Sequence, residues 1–269
     1  MNNDKVLNKS LSIRISTNGL SFCTYSPDDK KAFEYKKIDV QPTISLAANL
    51  KDALMREPEL KENYQRVNVM IVTPHTTCIP VEDFDPEDVE TIYEFNFPDS
   101  DQTHISYNVL NRWGIAVIFG ISKNIYQLLI DDFPQARFYA SLSTIIEHIG
   151  NKDKSSRKDK LYAYVLEHEL TLYAFSNGMM RCFNTFQITS VDDCVYYILN
   201  MMQQLKFSQV DDSLLIIGNT GKEKDLHSKA RGFVKDVSMV DCKEEFRNSI
   251  TGGDASIPYD LQTLLICGF

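Results

Sequence analysis

A duplicated α/β fold is what this sequence predicts, and three observations predict it. Stretches of alternating apolar and polar residues come in threes, each trio followed by a helical pattern and then a dense apolar run. That order occurs twice along the 269 residues. Between the two copies, residues 150–160 read Gly-Asn-Lys-Asp-Lys-Ser-Ser-Arg-Lys-Asp-Lys, with no apolar side chain. The expected organisation is therefore two lobes, 1–150 and 151–269, each with a βββαβαβ core, a solvated connector joining them and a cleft between them.

In the first half, residues 11–15, 20–25 and 32–40 alternate as strands, with turns at Thr17-Asn18-Gly19 and Pro27-Asp28-Asp29. Short turns make them an antiparallel meander. A helix over 43–57 follows, with Ile44, Ala47, Ala48, Leu54 and Met55 as its apolar face and Pro58 past its end. Residues 67–72, Val-Asn-Val-Met-Ile-Val, form a buried strand. An inserted α/β subdomain comes next. Asp85-Pro86 opens a helix carrying Val89, Ile92 and Tyr93. Residues 105–110 and 115–121 are strands. Ser122 caps a helix with Ile125, Leu128 and Leu129 on one face. Residues 137–140 are a short strand. Leu142, Ile145, Ile146 and Ile149 mark a helix closed by Gly150.

The second half repeats the order. Residues 161–166, 170–175 and 179–186 are strands, and Asn177-Gly178 is a tight hairpin turn. Ser190 and Asp193 make a capping box for a helix whose stripe is Val191, Cys194, Val195, Ile198, Leu199, Met202 and Leu205. A buried strand at 214–217, a polar helix at 220–231, a strand at 237–240 and a last helix after Pro258 complete it.

Composition narrows the class. The chain is 43% hydrophobic and 24% charged, as globular proteins are. Its 28 basic and 37 acidic residues give a formal charge of −9, which argues against nucleic acid and anionic membrane as partners. No apolar stretch is long enough to span a bilayer, and residues 1–20 hold no signal-peptide core. Six scattered cysteines read as reduced thiols of a cytoplasmic protein.

Duplication of a βββαβαβ unit is the layout of the actin-like ATPase superfamily, the duplicated ribonuclease H-like fold. The run Asn177-Gly178-Met179-Met180-Arg181-Cys182-Phe183-Asn184-Thr185-Phe186, followed by Asp192-Asp193 and Tyr196-Tyr197-Ile198-Leu199, resembles the pilus-assembly branch of that superfamily. It is more similar still to the domain of unknown function 3822 family of Bacteroidetes proteins. The resemblance implies an Asp and a Gly in the first hairpin of each half, where Mg²⁺, water and phosphate would be held. Here Arg14 stands where the first Asp would be and Ser16 where the Gly would be. The second hairpin reads Tyr164-Val165-Leu166-Glu167-His168-Glu169, also without Asp-x-Gly. No catalytic residue is assigned, and ATPase chemistry is expected to be lost.

One element remains. Gly218, Asn219, Thr220 and Gly221 follow a buried strand, where the superfamily's adenosine-binding glycines lie. Backbone amides there could hold an anion. The alternative, which is favoured, is a plain turn with Thr220 and Glu223 as a capping box. It is not a phosphate loop, because Ile216 and Glu223 stand where Gly and Ser or Thr are needed. Asp83, Asp85, Glu87 and Glu94 approach calcium-loop spacing, but Pro86 interrupts it and Asp88 replaces the turn glycine. His75 and Cys78 lack a second ligand pair, so no metal is expected. Glu167-His168-Glu169 reads as a polar corner, and Tyr196-Tyr197 as core with outward hydroxyls.

The expected function is thus a non-catalytic protein, without a cofactor, that binds a protein partner or forms a homo-oligomer. The alternative is a nucleotide- or anion-binding member, regulatory or weakly enzymatic, that uses the cleft.

Overall fold

The structure is a computed structural model that describes residues 9–17, 19–26, 29–218 and 220–267, with only the backbone of 29–31. The chain divides into two compact units, Met1–Thr144 and Ile145–Phe269.

In the first unit, β1 (Ser10–Ser16), β2 (Gly19–Ser26) and β3 (Asp29–Ile38) form the expected meander. Helix α1 (Leu46–Arg56) leads to β4 (Arg66–Val72). The inserted elements are β5 (Thr76–Pro80), α2 (Val89–Asn96), β6 (Thr103–Leu110) and β7 (Ile115–Ser122). Helix α3 (Lys123–Asp132), β8 (Arg137–Ala140) and α4 (Ser141–Asp153) follow. The main sheet runs β3-β2-β1-β4-β8. β1 pairs in parallel with β4, from Ser10 opposite Arg66 to Ser16 opposite Val72. Because side chains alternate along a strand, Leu11, Ile13 and Ile15 share a face with Val67, Val69 and Ile71. The other face carries Ser10, Ser12, Arg14 and Ser16 beside Asn68 and Met70, and it too is buried.

The inserted sheet runs β5-β7-β6. Tyr93 of α2 lies so close over Gly120 that a β-carbon there would sit 2.0 Å from its hydroxyl. Asn108 ties this sheet to the main one. Its Oδ1 accepts from Ala140 N at 2.9 Å and Ser143 Oγ at 2.8 Å, and its amide donates to Phe138 O at 2.9 Å.

The second unit holds β9 (Lys160–Val165), β10 (Glu169–Ser176), β11 (Met179–Gln187), α5 (Val191–Leu205), β12 (Ser213–Gly218), α6 (Lys222–Ala230), β13 (Asp236–Met239), α7 (Cys242–Glu245) and α8 (Tyr259–Cys267). Its sheet runs β11-β10-β9-β12-β13, the strand order of the first unit over again. Asn177 (φ 51°) and Gly178 (φ 74°) turn the β10–β11 hairpin in the left-handed region that this two-residue loop demands. The Ser190–Asp193 capping box is formed reciprocally. Leu172, Ala174, Ile198, Met202, Leu214 and Ile216 lie at the centre of the core.

Several expectations need correction. The buried face of α1 is Asn49, Leu50, Ala53 and Leu54, while Ile44 and Met55 face solvent. Asn49 earns an inward place because its side chain bonds the backbone of Gln41 and Ser45. Asp29 belongs to β3 rather than to a turn. Pro86–Asp88 is a 3₁₀ turn, and the α-helix starts at Val89. Ser122 precedes α3 but its side chain makes no capping bond. Gly150 does not end α4, which runs on to Asp153. Asp153 is buried, accepting from Lys160 Nζ at 2.5 Å and from the Tyr162 hydroxyl at 2.6 Å. Leu199 is half-buried at the rim of its stripe.

Candidate functional site

Three turns and one cavity are where chemistry would be expected. The first is the β1–β2 hairpin. Arg14 is buried, and its Nη1 donates to Ser16 Oγ at 3.3 Å, which donates in turn to Gly19 O at 3.0 Å. A guanidinium and a hydroxyl are not ligands for Mg²⁺, which takes carboxylate, phosphate and water oxygens. The second is the β9–β10 turn. Glu167 and His168 are 66% and 64% exposed, and Lys222 Nζ donates to the Glu167 carbonyl. This is the polar corner expected from the sequence.

The third is the β12–α6 turn. Gly218 ends β12, and Asn219 lies outside the described residues. Gly221 (φ 90°) stands at the N-cap of α6, so Thr220 does not hold the capping position assigned to it. Helix α6 accordingly begins at Lys222. The Glu223 carboxylate, buried at 6% exposure, reaches back into the turn. Its Oε2 accepts from Thr220 N at 3.1 Å and Thr220 Oγ1 at 3.2 Å, and its Oε1 from Gly221 N at 3.1 Å. The donors that would cradle an anion are thus bonded to an anion of the chain itself.

Beside Gly218 opens a cavity of about 350 Å³, lined by Tyr164, Asp241, Cys242, Lys243, Ile257 and Tyr259 among others. Behind its Tyr259 wall lies a charge centre. Glu245 Oε1 accepts from Tyr259 at 2.7 Å and meets His148 Nε2 at 2.6 Å, and Oε2 meets Lys152 Nζ at 2.6 Å. Burial pushes the Glu245 carboxyl up, but these three hydrogen bonds outweigh it and hold it down at about 2. The same burial and carboxylate push the Tyr259 phenol well up. This centre was not visible in the sequence. Its members come from three segments, and no local spacing links His148 to Glu245.

The remaining candidates separate. His75 rests its ring on Phe97 at 5.2 Å. Burial pushes the Cys78 thiol up to about 12. All six cysteines are free, and burial raises each of them, so none is a ready nucleophile. Among the described residues no three of His, Cys, Asp and Glu converge as metal ligands. Tyr197 stacks on Phe186, while Tyr196 is 64% exposed. Among the described residues no helix is long and apolar enough to cross a membrane.

Two five-stranded sheets of identical order, each opening on a three-strand meander, define a protein of the actin-like ATPase fold. The chain belongs to the protein of unknown function family DUF3822, whose model matches residues 1–237. It is similar to a protein of Bacteroides thetaiotaomicron VPI-5482 with an actin-like ATPase fold and unknown function. The identity is 30%, the TM-score 0.85, and 98% of this chain and 97% of that one are covered. It is also similar to the PilM-PilN type IV pilus biogenesis complex, with 9% identity, a TM-score of 0.56, and 88% and 89% covered. That second likeness is one of fold alone. No curated protein matches the chain.

Proposed function

We propose that this protein is a non-catalytic member of the actin-like ATPase fold that acts by binding a protein partner or a second copy of itself. The observation that carries this reading is Arg14. A buried guanidinium, hydrogen-bonded to Ser16, stands where the fold's chemistry calls for a metal-organising carboxylate. Glu223 adds support, since an incoming phosphate at the β12–α6 turn would meet its carboxylate. A cytoplasmic location fits six free, protonated thiols.

A second reading draws on the cavity beside Gly218. A site of about 350 Å³ with tyrosines, Asp241 and Lys243 on its walls suits a small ligand, and Gly218, where the glycine turn begins, lines it. Thermal melts with Mg–ATP, Mg–ADP and each nucleoside separate the two. A ligand at about a hundred times its Kd adds about 2.7 kcal/mol, a shift of several degrees. The first reading predicts no shift. A nucleotide-dependent shift that Gly218→Val removes would favour the second.

A further inference from the structure

Helix α2 has only eight residues and covers part of the inserted sheet. Val89, Tyr93 and Ile118 are buried beneath it, with Phe84, Ile92, Phe97 and Ile105 packed against them. Ile105, Tyr107 and Val109 alternate onto one face of β6, so Tyr107 and Val109 lie on the α2 side, where one face of the Tyr107 ring packs against Phe84 at 5.0 Å. They are 43% and 37% exposed, and Phe95, on the side of α2 turned away from the sheet, is 89% exposed. Apolar surface left open beside a folded core is a mark of association.

The charge around that surface says what covers it. Residues 67–111 contain no Lys or Arg and nine acids: Glu82, Asp83, Asp85, Glu87, Asp88, Glu90, Glu94, Asp99 and Asp101. They equal the whole formal charge of −9, so the rest of the chain is balanced. All nine are exposed, and the ion pairs of the described residues all lie elsewhere. Lys123 reaches only the backbone carbonyl of Asp101. Glu90 and Glu94 are one turn apart on α2, a like-charge pair that weakens the helix unless a cation comes from outside. A nucleic acid or a second copy would bring more negative charge to this face.

We propose that the α2 face of the inserted sheet docks a cationic amphipathic segment of another protein. Its Lys and Arg side chains face the acids, and its apolar side chains cover Phe95, Tyr107 and Val109. The proposal rests on the reading that the protein works through a partner, and it names that partner's chemistry.

The test uses the full chain and a labelled amphipathic Lys/Leu peptide, read by fluorescence anisotropy at physiological salt. A Lys/Ser peptide of the same charge serves as the reference probe. Glu87→Gln/Glu90→Gln/Glu94→Gln should weaken Lys/Leu binding about tenfold, from three exposed charge contacts. Asp39→Asn/Glu167→Gln/Asp225→Asn removes the same charge elsewhere and should change it less than about twofold. Phe95→Ala should weaken it about threefold or more with an unchanged melt, since that ring is 89% exposed. Equal losses from both triples, equal binding of the Lys/Ser peptide, or no binding by the unaltered chain would overturn the proposal. Displacement of the peptide by stoichiometric Ca²⁺ would assign the acids to a metal and overturn it too. Phosphate release from ATP in the same samples tests the parent reading separately. Turnover there contradicts the non-catalytic reading, whereas failure of the peptide arms leaves that reading standing.

Discussion

The two units share a strand order and differ in what their central strands carry. In the first, β1 presents Ser10, Ser12, Arg14 and Ser16 on one buried face. In the second, the corresponding central strand β9 presents Tyr162 and Tyr164 on the face opposite Leu161, Ala163 and Val165. Tyr162 packs edge-on against Phe175 and bonds Asp153, and Tyr164 lies beside Tyr259. The polar face is imperfectly matched, because Asn68 Oδ1, across the β1–β4 pair from Ser12, is buried with no hydrogen-bond partner among the described residues. The aromatic face is better matched, with the Tyr162 hydroxyl landing on a carboxylate. One backbone plan therefore tolerates opposite interiors, since plan depends on alternation and register while chemistry depends on a few side chains.

A charge placed in the second unit's core should be the most damaging substitution. Ile198 is 1% exposed at the centre of α5. Ile198→Asp should abolish soluble, cooperative folding, because a buried unpaired carboxylate costs several kcal/mol, near a domain's whole stability. Tyr196→Ser, on the open face of the same helix, should stay within about 0.5 kcal/mol. Circular-dichroism melts distinguish them.

A smaller effect is pH-dependent. Glu245 is held at about 2 when folded, against 4.5 unperturbed. A lowered folded value gives stability that is complete above pH 4.5 and is lost as pH falls toward 2. The amount is about 3 kcal/mol, since each tenfold change in proton affinity is worth about 1.4 kcal/mol. Urea midpoints of the wild type should fall across that window, and Glu245→Gln should lack this component. Parallel curves for both proteins would mean the centre is not what holds α7 to α4.

The smallest effect sharpens the contrast. Ser12 is buried, with its side chain bonded to the Cys23 thiol and the Tyr25 hydroxyl, so Ser12→Ala should cost about 1 kcal/mol, the net worth of a buried hydrogen bond. A denaturant titration that finds the variant more stable than the wild type would show that the hydroxyl contributes nothing to this face.

Most of the architecture was legible because period-two alternation and turn chemistry are local. The meanders, the Asn177-Gly178 hairpin and the Ser190–Asp193 box needed no long-range information. What was not legible depends on partners distant in sequence. Strand β5 leaves no local signal, because Thr-Thr-Cys-Ile-Pro has no alternation and its partner β7 lies about forty residues downstream. The extension of α4 past Gly150 follows from Asp153 being bonded by Lys160 and Tyr162, inside a run that reads as all-solvated. At the candidate site the glycine turn was visible, but the occupant of its amides was not. The sequence pairs Thr220 with Glu223 as a capping box, and in the structure the half running from Glu223 to the turn forms, with Gly221 taking the cap.

Steady-state phosphate release with Mg–ATP, followed across a size-exclusion peak, decides whether this protein hydrolyses nucleotide. A non-catalytic chain releases nothing above a blank in any fraction, and Arg14→Asp gains nothing, because a single carboxylate does not rebuild a site whose second hairpin also lacks one. Release that tracks the protein peak and disappears in a Gly218→Val variant would make the protein an ATPase after all.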